Sequence, residues 1–103
     1  MSDRSELAEG FRTIADAMSS SVSDRDIQEK LKTGGLVSEP PADSKGHTRE
    51  LHIRRTLAYV SAIRSFQVGR PIDQLVAFER AVSLDSSYGE SYKLDLRESA
   101  HVR

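Results

Sequence analysis

Apolar residues recur at helical spacing on both sides of an aperiodic stretch from Gly34 to His47. Wound at about 100° per residue, Ser5 to Met18 gathers Leu7, Phe11, Ile14 and Met18 on one narrow stripe, with Ala8 and Ala15 beside it. Asp3, Glu6 and Glu9 lie at the end where the helix dipole favours negative charge. Ser19-Ser20-Ser21 breaks this helix. A second begins with Ser23 as N-cap, Asp26 three residues on and Val22 placed to staple onto Ile27; it buries only Ile27 and Leu31 and stops at Gly34-Gly35.

The segment from Thr48 to Leu84 organises the rest. From Thr48 to Val68, Leu51, Tyr59, Ala62, Ile63 and Phe66 form one arc, while Ile53, Leu57, Val60 and Val68 form a second; Arg54, Ser61 and Ser65 make a narrow polar wedge. A helix apolar over so much of its circumference predicts cover on more than one side. Gly69 suits the left-handed position after a helix, and Pro71-Ile72-Asp73 supplies a chain break, an apolar staple and an N-cap carboxylate. The following helix has one main stripe, Leu75, Phe78, Ala81 and Val82, with Glu79, Arg80 and Ser83 turned to water. Asp85-Ser86-Ser87 then reads as a turn, and Ser87 to Glu90 has capping-box spacing for a last helix to about Ser99 that carries Tyr88, Tyr92 and Leu96. His101-Val102-Arg103 predicts a frayed tail.

These elements predict an all-α single domain over 1–103: a small bundle of four to five helices around a central helical hairpin. Residues 1–33 supply the N-terminal helices, 34–47 a linker and 48–103 the hairpin plus the C-terminal helix. Pro40-Pro41 favours an extended path through the linker, where Leu36 and Val37 are its apolar handles. A chain of 103 residues sits near the size where stability is marginal, so homo-oligomerisation or a place in a larger assembly is compatible with it.

Charge changes the picture in one respect. Fifteen basic and sixteen acidic residues leave a net charge of −1, yet between His47 and Arg70 five arginines (Arg49, Arg54, Arg55, Arg64 and Arg70) face Glu50 alone. Each flanking third is acidic. Arginine pairs bidentately with carboxylate or phosphate, which allows pairing within the chain, an acidic protein partner, or nucleic acid. No stretch approaches a membrane span or a signal-peptide apolar region, which predicts a cytoplasmic protein with no membrane partner.

Residues 58–92 resemble one tetratricopeptide unit, a helical hairpin repeat of about 34 residues. The resemblance rests on Ala62, Gly69, Phe78, Ala81 and Asp85-Ser86-Ser87-Tyr88, with Ala58, Ser65, Gln74 and Ser86 departing from the family pattern. It implies a protein-interaction module whose first helix lines a groove for a peptide, with Arg55, Tyr59 and Arg64 as contacts.

Residue chemistry points away from catalysis. Cysteine is absent, and His47 and His52 are five apart instead of the four that chelates zinc on a helix. Lys32-Thr33-Gly34-Gly35 lacks phosphate-loop spacing, no G-x-S-x-G elbow occurs, and Asp24 with Asp26 suits a helix start better than an acid and base. The expectation is a non-enzymatic interaction or regulatory protein, an adaptor or inhibitor, with no cofactor or metal. Its candidate partner contacts are Arg54, Arg55, Tyr59 and Arg64, together with the Leu7, Phe11 and Met18 stripe, which reads first as core and second as interface. The alternative is a small dimeric DNA-binding regulator using the basic helix 48–70.

Overall fold

The computed structural model describes residues 4–102, so Asp3 and Arg103 lie outside the described residues. Four helices follow one another: α1 (Arg4–Ala17), α2 (Asp24–Thr33), α3 (Gly46–Val68) and α4 (Pro71–Val102). The result is an all-α bundle, and no strand occurs among the described residues. α3 and α4 form a long antiparallel hairpin, and α1 and α2 pack across one side of it.

Local chemistry accounts for most boundaries. Ser23 caps α2, its hydroxyl accepting from the Asp26 N–H at 3.2 Å. At the other end Gly35 takes φ +75°, and the N–H groups of Leu36 and Gly35 donate to the Leu31 and Lys32 carbonyls at 3.0 and 3.1 Å. These paired bonds are a Schellman closure, which needs a left-handed residue. Gly69, at φ +89°, closes α3 in the same region of backbone space, and its N–H donates to the Ser65 carbonyl at 2.9 Å.

The break predicted at Asp85-Ser86-Ser87 does not form. α4 is one helix of 32 residues, whose rise of about 1.5 Å per residue matches the 48 Å long axis of the molecule. It runs to Val102, past the point where the sequence predicts fraying. Tertiary contacts override the turn signal: the Asp85 carboxylate accepts from the Arg55 and Tyr59 side chains of α3. Beyond it, Tyr88 is buried, Ser91 hydrogen-bonds the buried Thr48 across the hairpin, and Asp95 accepts the Lys45 N–H at 3.2 Å. Asp95 therefore satisfies backbone at the start of α3, where Lys45 makes no side-chain cap of its own.

The core lies between α1, α2 and the hairpin. Phe11 is fully buried and meets three rings edge-on: Tyr59 at 4.9 Å, and Phe66 and Phe78 at 6.1 Å each. Ile27, Leu31, Ala62, Ile63 and Ala81 are likewise sealed. The predicted linker is held down, with Val37 in the core and Pro40 buried.

Candidate interaction surface

Arg55 and its neighbours form the most concentrated polar cluster. The α3 helix carries Arg55 into the seam with α4, where only 5% of it is exposed. Its Nη1 donates to Asp85 Oδ1 at 3.3 Å, and Nη2 donates to the Ser38 carbonyl at 3.2 Å and lies 3.3 Å from His52 Nδ1. The Tyr88 ring stacks beneath the guanidinium, 3.8 Å from ring centre to Cζ. Tyr59 completes the set by donating its hydroxyl to Asp85 Oδ1 at 2.6 Å. One buried cation thus ties α3, α4 and the 34–45 connector together.

The titration directions agree with a structural role. Burial, aided by the Arg55 charge, holds His52 below the ordinary imidazole range. Burial also pushes the Tyr59 phenol well above its usual value, and its hydrogen bond to Asp85 adds to the shift. A histidine whose Nδ1 faces a cation and a tyrosine held neutral are poorly matched to proton transfer near neutral pH. Among the described residues, no three His, Cys, Asp or Glu side chains gather to hold a metal ion.

The residues expected to meet a partner fall in different places. Leu7 and Phe11 belong to the core, at 6% and 0% exposure, and Met18 packs half-buried against it. Tyr59 is 1% exposed, and Arg55 lies in the seam just described. In this conformation Leu7, Phe11, Tyr59 and Arg55 offer a partner almost no surface, because their own bundle already buries them. Arg64 is half-buried and works as a staple: Nη2 reaches Asp24 Oδ1 at 2.8 Å and also bonds the Val22 carbonyl, while Nη1 donates to the Ser20 carbonyl at 3.1 Å. Gln67, one turn on, donates to the Met18 carbonyl at 3.0 Å. Together they satisfy chain ends between α1 and α2, where no glycine closes α1. Arg54 alone of the seven is exposed, paired with Glu50 at 2.8 Å.

The basic central helix is largely neutralised from within. Arg49 donates to the Ala42 carbonyl at 2.8 Å, Arg70 pairs with Asp73 at 2.7 Å, and Arg54, Arg55 and Arg64 have the partners given above. The acids of α2 and α4 supply three of these partners: Asp24 for Arg64, Asp73 for Arg70 and Asp85 for Arg55.

What the sequence reading missed is an uncovered face of the hairpin. The second arc of α3 was expected to be covered; Val60 is buried, but Ile53, Leu57 and Val68 are 59%, 56% and 76% exposed. Ile53 and Leu57 are one turn apart, and Val68 follows three turns later with Ser61 and Ser65 in between, so arc and polar wedge share one side of the helix. α4 adds Ile72 and Val76, at 77% and 63%, with Arg80 one turn further on. Two adjoining hollows of about 450 and 280 Å³ run along the groove between the helices and share Ser61, Ala77 and Arg80 in their walls. The available signal was the all-round apolar character of α3 in a chain with too few helices to cover both arcs.

No helix among the described residues is long and apolar enough to cross a membrane. No protein-family model, curated protein or solved structure matches the chain.

Proposed function

We propose that this chain is a non-enzymatic interaction or regulatory protein, an adaptor or inhibitor, that binds another protein through the open face of the α3–α4 hairpin. The observation that carries the reading is that Leu57, Val68 and Val76, each more than half exposed, line the groove on that face. Isolated exposed aliphatics are ordinary, but several gathered in one groove among polar side chains are characteristic of protein contact surfaces. Covering a large aliphatic side chain is worth roughly 1.5–3 kcal/mol, so a partner that buries several gains affinity without disturbing the core. The DNA-binding alternative draws less support, because the aliphatic floor of this face, Leu57, Val68 and Val76, offers phosphates no partner and would stay unburied.

Site-specific photocrosslinking tests the reading. A benzophenone amino acid replaces Leu57 on the open face or, as a control, Glu29 on α2, and each protein is irradiated in lysate of its source cells with and without nuclease. The expected result is a discrete protein adduct at position 57 that survives nuclease and is absent at position 29. Equal labelling at both positions, or an adduct lost with nuclease, overturns the proposal.

A further inference from the structure

We infer that the α3–α4 groove receives an amphipathic helix with acidic flanks. This rests on the interaction reading above and names the chemistry of the occupant. The groove is basic although the protein as a whole is slightly acidic. Its walls carry Arg54, Arg64, Arg70 and Arg80 with Asp73 as the one acid among them; Arg54 and Arg64 draw their carboxylate partners, Glu50 and Asp24, from outside the walls. Arg80 makes no ion pair among the described residues. The Arg54–Glu50 and Arg70–Asp73 pairs are solvent-exposed on both sides, and such pairs hold weakly enough to exchange one carboxylate for another.

The floor is apolar, formed by Leu57, Ala58, Val68, Val76 and Ala77. Two alanines at the centre keep it low, so another helix backbone approaches closely there. From Arg54 to Val68 the groove spans about 21 Å of α3 at 1.5 Å per residue, which is room for nearly four turns. A helix presenting a leucine-type stripe to this floor places its flanking positions beside the arginines, and glutamate or aspartate there is complementary. Nucleic acid would set phosphates against the exposed aliphatic floor and leave it unburied. A second copy docked face to face would oppose the same arginines to one another, which is repulsive.

The test uses the full chain as bait and displayed peptides of about 16 residues, with leucine fixed at helical spacing and Glu or Lys allowed at the flanking positions. The expected result is selection of Glu-flanked peptides, whose affinity falls at least tenfold in Leu57→Asp or Val76→Asp. Both sites are exposed, and thermal melts followed by circular dichroism verify that the variants fold. In Arg54→Glu with Arg80→Glu, selection shifts to Lys-flanked peptides. If Lys-flanked or charge-indifferent peptides win while still depending on Leu57, the acidic occupant is wrong and the interaction reading survives. If no peptide is selected, or those selected ignore Leu57 and Val76, both fall. Dimerisation in sedimentation that Leu57→Asp abolishes, or binding of a 20-base-pair duplex that the arginine reversals abolish, assigns the groove to a second copy or to nucleic acid and overturns the inference.

Discussion

The Tyr59 hydroxyl donates to the same Asp85 oxygen that Arg55 Nη1 reaches, at 2.6 Å and 3.3 Å, so one carboxylate on α4 satisfies two side chains one turn apart on α3. Arg55 and Tyr59 are almost fully buried, while the Asp85 side chain keeps 23% exposure. That asymmetry sets the consequences of substitution. Asp85→Ala leaves a buried cation and a buried phenol without their acceptor and is expected to cost about 3 kcal/mol in urea unfolding. Arg55→Met combined with Asp85→Leu removes both charges, and is expected to cost less than Asp85→Ala alone. A double variant weaker than the single would contradict this account.

Stability is expected to depend on pH through His52. Its folded-state pKa is held below the unfolded value of 6.5 by burial first and the Arg55 charge second, with Lys32 and Arg49 acting in the same direction and Glu39 against them. As pH falls below 6.5, the unfolded chain takes up a proton that folded His52 resists. Its contribution is therefore complete above that value and declines as pH drops toward the folded pKa. Comparing urea midpoints of the parent and His52→Asn across this window isolates the term, since asparagine retains an acceptor but does not titrate. Equal slopes would remove His52 from the account.

Tyr59 acts at the alkaline end. Burial raises its pKa above the ordinary value of 10.0, so stability is complete below pH 10.0 and falls as the unfolded phenol ionises above it. Tyr59→Phe is expected to flatten that decline while lowering stability near neutral pH by about 1 kcal/mol for the lost hydrogen bond. Thermal melts at neutral and alkaline pH read both effects.

The continuity of α4 makes a signed prediction at two serines. Ser23 caps α2, so Ser23→Ala is expected to cost about 1 kcal/mol. Ser87 lies exposed inside α4, so Ser87→Ala is expected to stabilise by a few tenths of a kcal/mol, because alanine is the better helix former. Destabilisation by Ser87→Ala of the size seen at Ser23 would mean that the chain breaks after Leu84 after all.

Arg64→Ala is expected to loosen the α1–α2 junction more than the hairpin. It removes donors from the Ser20 and Val22 carbonyls and the guanidinium partner from the Asp24 carboxylate. Hydrogen exchange should accelerate from residue 19 to about residue 27 while amides of α3 near Ile63 stay protected. Uniform acceleration would show instead that the staple supports global stability.

Much of the fold was legible because its signals are local. The Leu7, Phe11 and Ile14 stripe, the Ser23 cap, the Gly34-Gly35 stop and the Gly69 turn each depend on residues within about one helical turn of one another. The candidate surface was less legible. Periodicity brought Arg55 and Arg54 forward as equivalent candidates, adjacent in sequence, yet one is sealed against Tyr88 and the other is in water. Spacing ranks faces by polarity; it does not say which neighbour arrives to cover them.

Sequence alone determined that this chain is helical, where three of its helices end, and that Gly69 reverses the chain between two long segments. Those outcomes follow from backbone hydrogen-bond satisfaction and side-chain period, which short stretches carry by themselves. Only the tertiary structure decided that Asp85-Ser86-Ser87 stays helical, that Arg55 is an interior tie, and that Ile53, Leu57 and Val68 remain open. Each of these depends on a partner some thirty residues away, or on one that never comes: the Asp85 carboxylate finds Arg55 and Tyr59 across the hairpin, while α1 and α2 cover only one of its two sides.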